Sequence, residues 1–122
     1  MFLFRYYDKE ARIDRAWYNS SNILYSECDD VLDGLKILTV TFKNGATYRY
    51  NNVDVNDYVM FLHGSIDGSN GKALNKYIKA KYEYERLEDR NPSLVMAEMD
   101  KYKLKAKKDK ENENVKPETE TA

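Results

Sequence analysis

The stretch Leu35-Lys36-Ile37-Leu38-Thr39-Val40-Thr41-Phe42-Lys43-Asn44-Gly45-Ala46-Thr47-Tyr48-Arg49-Tyr50 decides the fold. Apolar residues alternate on both sides of Asn44-Gly45, the pattern of a β-hairpin. Two loop lengths fit. A two-residue loop pairs Val40 with Arg49 and Thr41 with Tyr48. A three-residue loop, Lys43-Asn44-Gly45, pairs Val40 with Tyr48 and Leu38 with Tyr50. Cross-strand partners share a face. Only the three-residue loop gathers Leu38, Val40, Phe42, Tyr48 and Tyr50 on one side, so the pattern predicts a type I turn with Gly45 as its left-handed bulge residue.

Toward the N-terminus the chain stays extended. Phe2 to Tyr7 alternates and reads as a strand, and Asp8 to Asp14 as a charged turn. Ala16–Asn19 and Ile23–Cys28 read as extended pieces around the polar kink Asn19-Ser20-Ser21-Asn22, with Asp29 to Gly34 an acidic turn. Toward the C-terminus the period changes. Asp54 is placed to cap a short helix carrying Val55, Val59, Phe61 and Leu62, ending near Gly64. Ser65 to Gly71 is a polar loop, and Lys72 to Arg90 reads as a helix with Leu74, Tyr77, Ile78, Tyr82 and Tyr84 on its apolar side. Asn91-Pro92 breaks it and starts another helix bearing Val95, Met99, Tyr102 and Ala106. The fold class is therefore α+β: a four- to five-stranded antiparallel sheet packed on one face against C-terminal helices. Residues 1–103 read as one domain. Residues 104–122 read as a helix end fraying into a polar, charged, disordered tail.

The chain has 122 residues, with 20 Lys+Arg against 21 Asp+Glu. One modest core fits this length. The near-zero net charge gives no global positive field for duplex DNA. No apolar run is long enough for a membrane span, and the N-terminal residues do not resemble a secretory signal, so a cytoplasmic, membrane-free setting is expected. A single cysteine, Cys28, excludes an internal disulfide and a multi-thiolate metal site. No metal or cofactor is expected. The lone His63 and Cys28 lack an obvious orienting partner, so a non-catalytic role is favoured over a small hydrolase.

Three constellations point to a ligand. The loop from Gly64 through Ser65, Gly68, Ser69, Asn70 and Gly71 combines backbone-exposing glycines with hydrogen-bonding groups ahead of a helix start. Such a loop either connects two helices or cradles a phosphate. Lys72, Lys76, Lys79, Glu83, Arg86 and Arg90 recur at helical spacing, as a solvated face or as a grip on a diphosphate. Trp17 and Tyr18 lie beside Asn19 and Asn22. There Trp17 either anchors the core or stacks an adenine whose edge an asparagine reads. Eleven tyrosines, against four Phe and one Trp, add further rings.

Ser20-Ser21-Asn22-Ile23, the hairpin from Leu38 to Val53, Tyr58, Gly64-Ser65, Gly68 and the Asn75-x-x-Ile78 pair together resemble the KTSC domain over about residues 17–87. With the flanking first strand, the Trp before the Ser-Ser kink and the last helix, the chain resembles the first type of phage Thoeris anti-defence protein. That resemblance implies a non-enzymatic sponge for cyclic ADP-ribose signals made by bacterial TIR-domain immune enzymes. It implies action in the cytoplasm of an infected bacterium, binding of cyclic oligonucleotides in some members, and self-association into dimers or hexamers. The Val95/Met99/Tyr102 stripe is the expected dimer seam. The residues expected at the ligand are Trp17, Tyr18, Asn22, Ser65, Ser69, Asn70, Asn75, Lys76, Lys79 and Arg86. The competing reading is an RNA or single-stranded nucleic-acid module, using tyrosines on a sheet beside basic helices.

Overall fold

The computed structural model describes residues 2–32, 34–64 and 69–121, with side chains described for 2–29, 34–64 and 69–111. Six strands form one antiparallel meander in chain order: β1 (Phe2–Asp8), β2 (Ile13–Tyr18), β3 (Ile23–Leu32), β4 (Leu35–Phe42), β5 (Thr47–Asp54) and β6 (Tyr84–Leu87). Between β5 and β6 the chain forms α1 (Val55–His63), α2 (Asn70–Ala73) and a π-helical turn (Leu74–Lys79). After β6 comes the long α3 (Pro92–Thr121). The α+β class holds.

The hairpin has the three-residue register. Val40 pairs with Tyr48 and Leu38 with Tyr50. The Phe42 N–H donates to the Ala46 carbonyl at 2.9 Å, and the Gly45 N–H to the Phe42 carbonyl at 2.9 Å. Gly45 has φ +94°, and an added Cβ would stand 2.4 Å from the Arg90 carbonyl oxygen. Glycine is thus required twice here, by backbone conformation and by the passing chain.

One face of the sheet carries the larger core. Ala16, Tyr18, Ile23, Leu38, Val40 and Tyr50 pack there against Tyr58, Phe61 and Leu62 of α1 and Leu74 and Ile78 of the π-helical turn. The Asp54 side chain accepts from the Asn56 N–H, and Gly64 closes α1 in the left-handed region with φ 56°. Both caps follow the sequence. The buried side of α1 is Tyr58, Phe61 and Leu62, whereas Val55 and Val59 are exposed.

The opposite face is covered as well, contrary to the one-sided packing expected. Trp17, Leu24 and Tyr25 pack there under Val95 and Tyr102 of α3, with Phe4, Tyr6, Met96 and Met99 around them. The α3 stripe expected at a dimer seam is therefore consumed within the chain. Asn91 caps α3 as anticipated, its Oδ1 accepting from the Ser93 N–H at 2.9 Å. The helix continues through the residues expected to fray, reaching Thr121. Lys, Glu and Ala are strong helix formers, so the backbone keeps the helical state where apolar content has run out.

The continuous helix expected over Lys72–Arg90 is absent. Helical geometry ends at Lys79 and Tyr84–Leu87 is strand. Tyr82 and Tyr84 alternate with Glu83 and Glu85, a short period of two that outweighs the weaker 3.6-residue match. β6 pairs Tyr84 with Tyr50 and Arg86 with Tyr48, and Arg49 bridges Glu85 at 2.7 Å. The sheet therefore has six strands rather than four or five.

Candidate functional site

The π-helical turn and α1 cover only part of their face of the sheet. Beside them lies a cleft of about 460 Å³ over β4, β5 and β6. Its floor is aromatic: Phe42, Tyr48, Tyr50 and Tyr84. Phe42 meets Tyr48 edge-on at 5.7 Å between ring centroids, and Tyr48 meets Tyr84 edge-on at 5.4 Å. Tyr84 is 60% exposed. The strand alternation explains this grouping, because Phe42, Tyr48, Tyr50 and Tyr84 share one face through the hairpin and the β5–β6 register.

The rim is polar and locally fixed. The Ser20 Oγ accepts from the Asn22 and Ile23 N–H groups, each at 3.3 Å, which turns the chain between β2 and β3. The Asn22 carbonyl accepts from the Lys43 N–H at 2.8 Å, joining this kink to the hairpin turn. Ser21, Asn22, Lys43 and Asn44 consequently line one end of the cleft. Gly71 brings α2 close to the same corner: a Cβ there would lie 3.6 Å from Asn22 Nδ2 and 3.7 Å from Ser69 Oγ. Lys79 lines the cleft from the π-helical turn.

Among the described residues Lys43 and Lys79 line the cleft and no carboxylate does. Neither lysine makes an ion pair among the described residues. Arg86 stands one ring away, its guanidinium 5.3 Å from the Tyr48 centroid and bonded to Asp89 at 2.9 Å. The hydrogen bond to Asp89, reinforced by charge, raises the Arg86 pKa further. Burial pushes the Tyr50 hydroxyl up to about 12, so that group stays neutral at physiological pH. Stacking surface, hydroxyls and two ammonium groups without an ion pair among the described residues suit an anionic aromatic ligand.

A second cleft of about 510 Å³ lies between β1 and α1 and differs in charge. Its Arg5 donates through Nε and Nη2 to Asp14 at 3.1 and 2.8 Å, and the Tyr58 hydroxyl donates to Asp14 at 2.7 Å. These polar groups already satisfy one another. Cys28 at its base is buried, and desolvation, opposed by Lys36 and aided by Asp14 and Asp29, pushes its thiol up to about 12. A thiol in that state is no nucleophile at neutral pH. His63 is exposed at the end of α1. Among the described residues no three His, Cys, Asp or Glu side chains gather as a metal site. No described helix is long and apolar enough to cross a membrane.

The residues expected at the ligand divide. Asn22 and Lys79 line the aromatic cleft, Ser69 is close to Asn22, and Arg86 backs Tyr48. Trp17 is fully buried and donates from Nε1 to the Val95 carbonyl at 2.9 Å, which leaves no free face for stacking. Tyr18 is buried against Ser26, hydroxyl to hydroxyl at 2.6 Å. Asn70 is buried and donates to the Phe61 and Leu62 carbonyls at 2.8 and 3.1 Å, closing the end of α1. Ser69 caps α2 by accepting from the Lys72 N–H at 3.2 Å. Asn75 and Lys76 are exposed and do not line the cleft, and the Lys76 ammonium lies 5.2 Å from the Tyr77 ring. Ser65 lies outside the described residues.

The hairpin with its three-residue turn, the capped α1 and the helical return toward the sheet form a contiguous unit of sequence. Residues 33–82 match the KTSC domain. No curated protein matches the chain. The KTSC segment is narrower than the 17–87 span of the sequence resemblance and omits β1 to β3, β6 and α3. It supplies Phe42, Lys43, Asn44, Tyr48, Tyr50 and Lys79 to the cleft, while the flanks add Ser21, Asn22 and Tyr84.

Sequence reasoning missed Lys43, Asn44, Tyr48 and Tyr84 as site residues. The signal was available in the hairpin register, which puts Phe42, Tyr48 and Tyr50 on one face, and in the alternation from Tyr82 to Glu85.

Proposed function

We propose that this protein is a non-catalytic binder of cyclic ADP-ribose-type nucleotides and acts as a sponge for signals of bacterial TIR-domain immune enzymes. The observation that carries this reading is the aromatic cleft, whose described lining holds two lysines without an ion pair among the described residues and no carboxylate. Such a nucleotide brings an adenine, two riboses and a diphosphate. Tyr48 and Tyr84 offer ring faces for the base, Ser21, Asn22 and Asn44 offer partners for hydroxyls or the base edge, and Lys43 and Lys79 offer charge for the phosphates. The resemblance to the phage Thoeris anti-defence proteins points the same way. A sponge needs affinity and no chemistry, in keeping with a buried, protonated Cys28.

The test is to incubate the protein with the product of a TIR-domain enzyme, wash it, denature it with heat and identify the released compound by mass spectrometry. Recovery of unaltered cyclic nucleotide is expected. Recovery of a hydrolysed product, or of no nucleotide, overturns the reading.

A further inference from the structure

Between Lys101 and Lys110, α3 carries six lysines against one carboxylate, Asp109. That carboxylate is engaged, accepting from the Tyr6 hydroxyl at 3.0 Å. None of the six lysines makes an ion pair among the described residues. Burial of Val95 and Tyr102 against the sheet fixes how the helix is rotated, so the placement of these charges is set. At 100° per residue, Lys101, Lys105 and Lys108 form a row along one flank, and Lys103, Lys107 and Lys110 a row along the other. The rows extend over about 14 Å at 1.5 Å per residue. Rings beneath hold part of each row: the Lys101 and Lys105 ammonium groups lie 5.7 and 6.0 Å from the Tyr102 centroid, and that of Lys103 lies 5.9 Å from Phe4.

We infer that this part of α3 is a docking surface for the phosphate backbone of a single-stranded nucleic acid, separate from the aromatic cleft. Charge complementarity selects the partner. Lysine is a strongly hydrated point charge that neutralises phosphates one at a time, without the bidentate geometry that marks recognition by arginine. The row of Lys101, Lys105 and Lys108 suits a flexible polyanion lying along that flank of the helix, the other row being on nearly the opposite side. A lipid surface fits less well. The outward side presents Leu104 among the lysines, with the next exposed leucine, Leu94, about 15 Å away along the helix, whereas an interfacial helix needs a continuous apolar face. Contacts from ammonium groups to phosphates carry no base information, so the surface is indifferent to sequence.

The experiment uses the full chain, a fluorescein-labelled 20-nucleotide oligothymidylate and anisotropy at 50 and 200 mM KCl. Three phosphate contacts on a single strand give a salt slope of about −2, or roughly 20-fold weaker binding at the higher salt. The triple variant Lys101→Gln, Lys105→Gln, Lys108→Gln should bind at least tenfold more weakly at 50 mM. Its slope should be shallower by about 2, with an unchanged melting temperature and unchanged retention of cyclic nucleotide. Absence of binding at 50 mM, or a triple variant that binds like the wild type, overturns the inference. So does preference for a duplex of the same length, or attachment to phosphatidylglycerol vesicles without binding to the oligonucleotide.

Discussion

The two faces of the sheet hold aromatic residues in opposite states. Under α3, Trp17, Tyr25 and Tyr102 form a closed cluster, with Trp17 and Tyr25 centroids 4.7 Å apart and the indole N–H satisfied by a backbone carbonyl. On the other face, beyond the reach of α1 and the π-helical turn, Tyr48 and Tyr84 stand at the open cleft beside Lys43 and Lys79, which make no ion pair among the described residues. Similar side chains on one sheet are thus closed into a core where a helix covers them and left open to solvent where none does. The difference lies in what covers each ring, which depends on where α3 docks and where the π-helical turn stops.

Removing a ring from each face is the strongest way to break this comparison. Trp17→Ala empties a fully buried site and removes the indole bond to the Val95 carbonyl. It should cost about 3–5 kcal/mol in urea unfolding. Tyr84→Ala on the open face should leave the urea midpoint nearly unchanged. Equal losses from both variants would erase the distinction between the faces.

Asn70→Ala sharpens it at the next level. Sequence placed Asn70 at a ligand, and the structure places it between two carbonyls at the end of α1. Its loss should cost about 1–3 kcal/mol, with nucleotide retention intact at temperatures where the variant is folded.

A smaller effect concerns Asp57, which ties α1 to the residues after the π-helical turn. The Tyr82 hydroxyl donates to it at 2.6 Å and the Lys81 ammonium at 2.9 Å. The Tyr82 bond, opposed by burial and aided by Lys81, holds its carboxyl below the ordinary range. A depressed carboxylate contributes stability above its unfolded pKa and loses that contribution as pH falls through the folded value. Urea midpoints of the wild type should therefore fall between pH 5 and pH 2.5 more steeply than those of Asp57→Asn. Parallel pH profiles would contradict the assignment.

Local rules made much of the fold legible. The hairpin register followed from shared faces at Leu38, Val40, Tyr48 and Tyr50, and the caps at Asp54, Gly64 and Asn91 followed from turn chemistry. The failures came from tertiary context. Trp17 and Asn70 carry groups able to bind a ligand, and only the packing of α3 and α1 shows that those groups are already satisfied. β6 was hidden because tyrosines at 77, 82 and 84 extend a helical pattern as plausibly as they begin an alternation. The cleft was half legible: its aromatic face followed from the hairpin, but its rim depends on a backbone bond between Asn22 and Lys43 that no local pattern encodes.

The central claim is that the open aromatic face binds a cyclic nucleotide, and isothermal titration with cyclic ADP-ribose tests it most directly. Wild-type protein should bind. Lys79→Ala should weaken binding by about 10- to 150-fold, the loss of one charged hydrogen bond, with unchanged thermal stability because Lys79 is exposed. Absence of wild-type binding across the cyclic isomers, or full affinity in a Lys79→Ala, Tyr84→Ala double variant, would contradict the account.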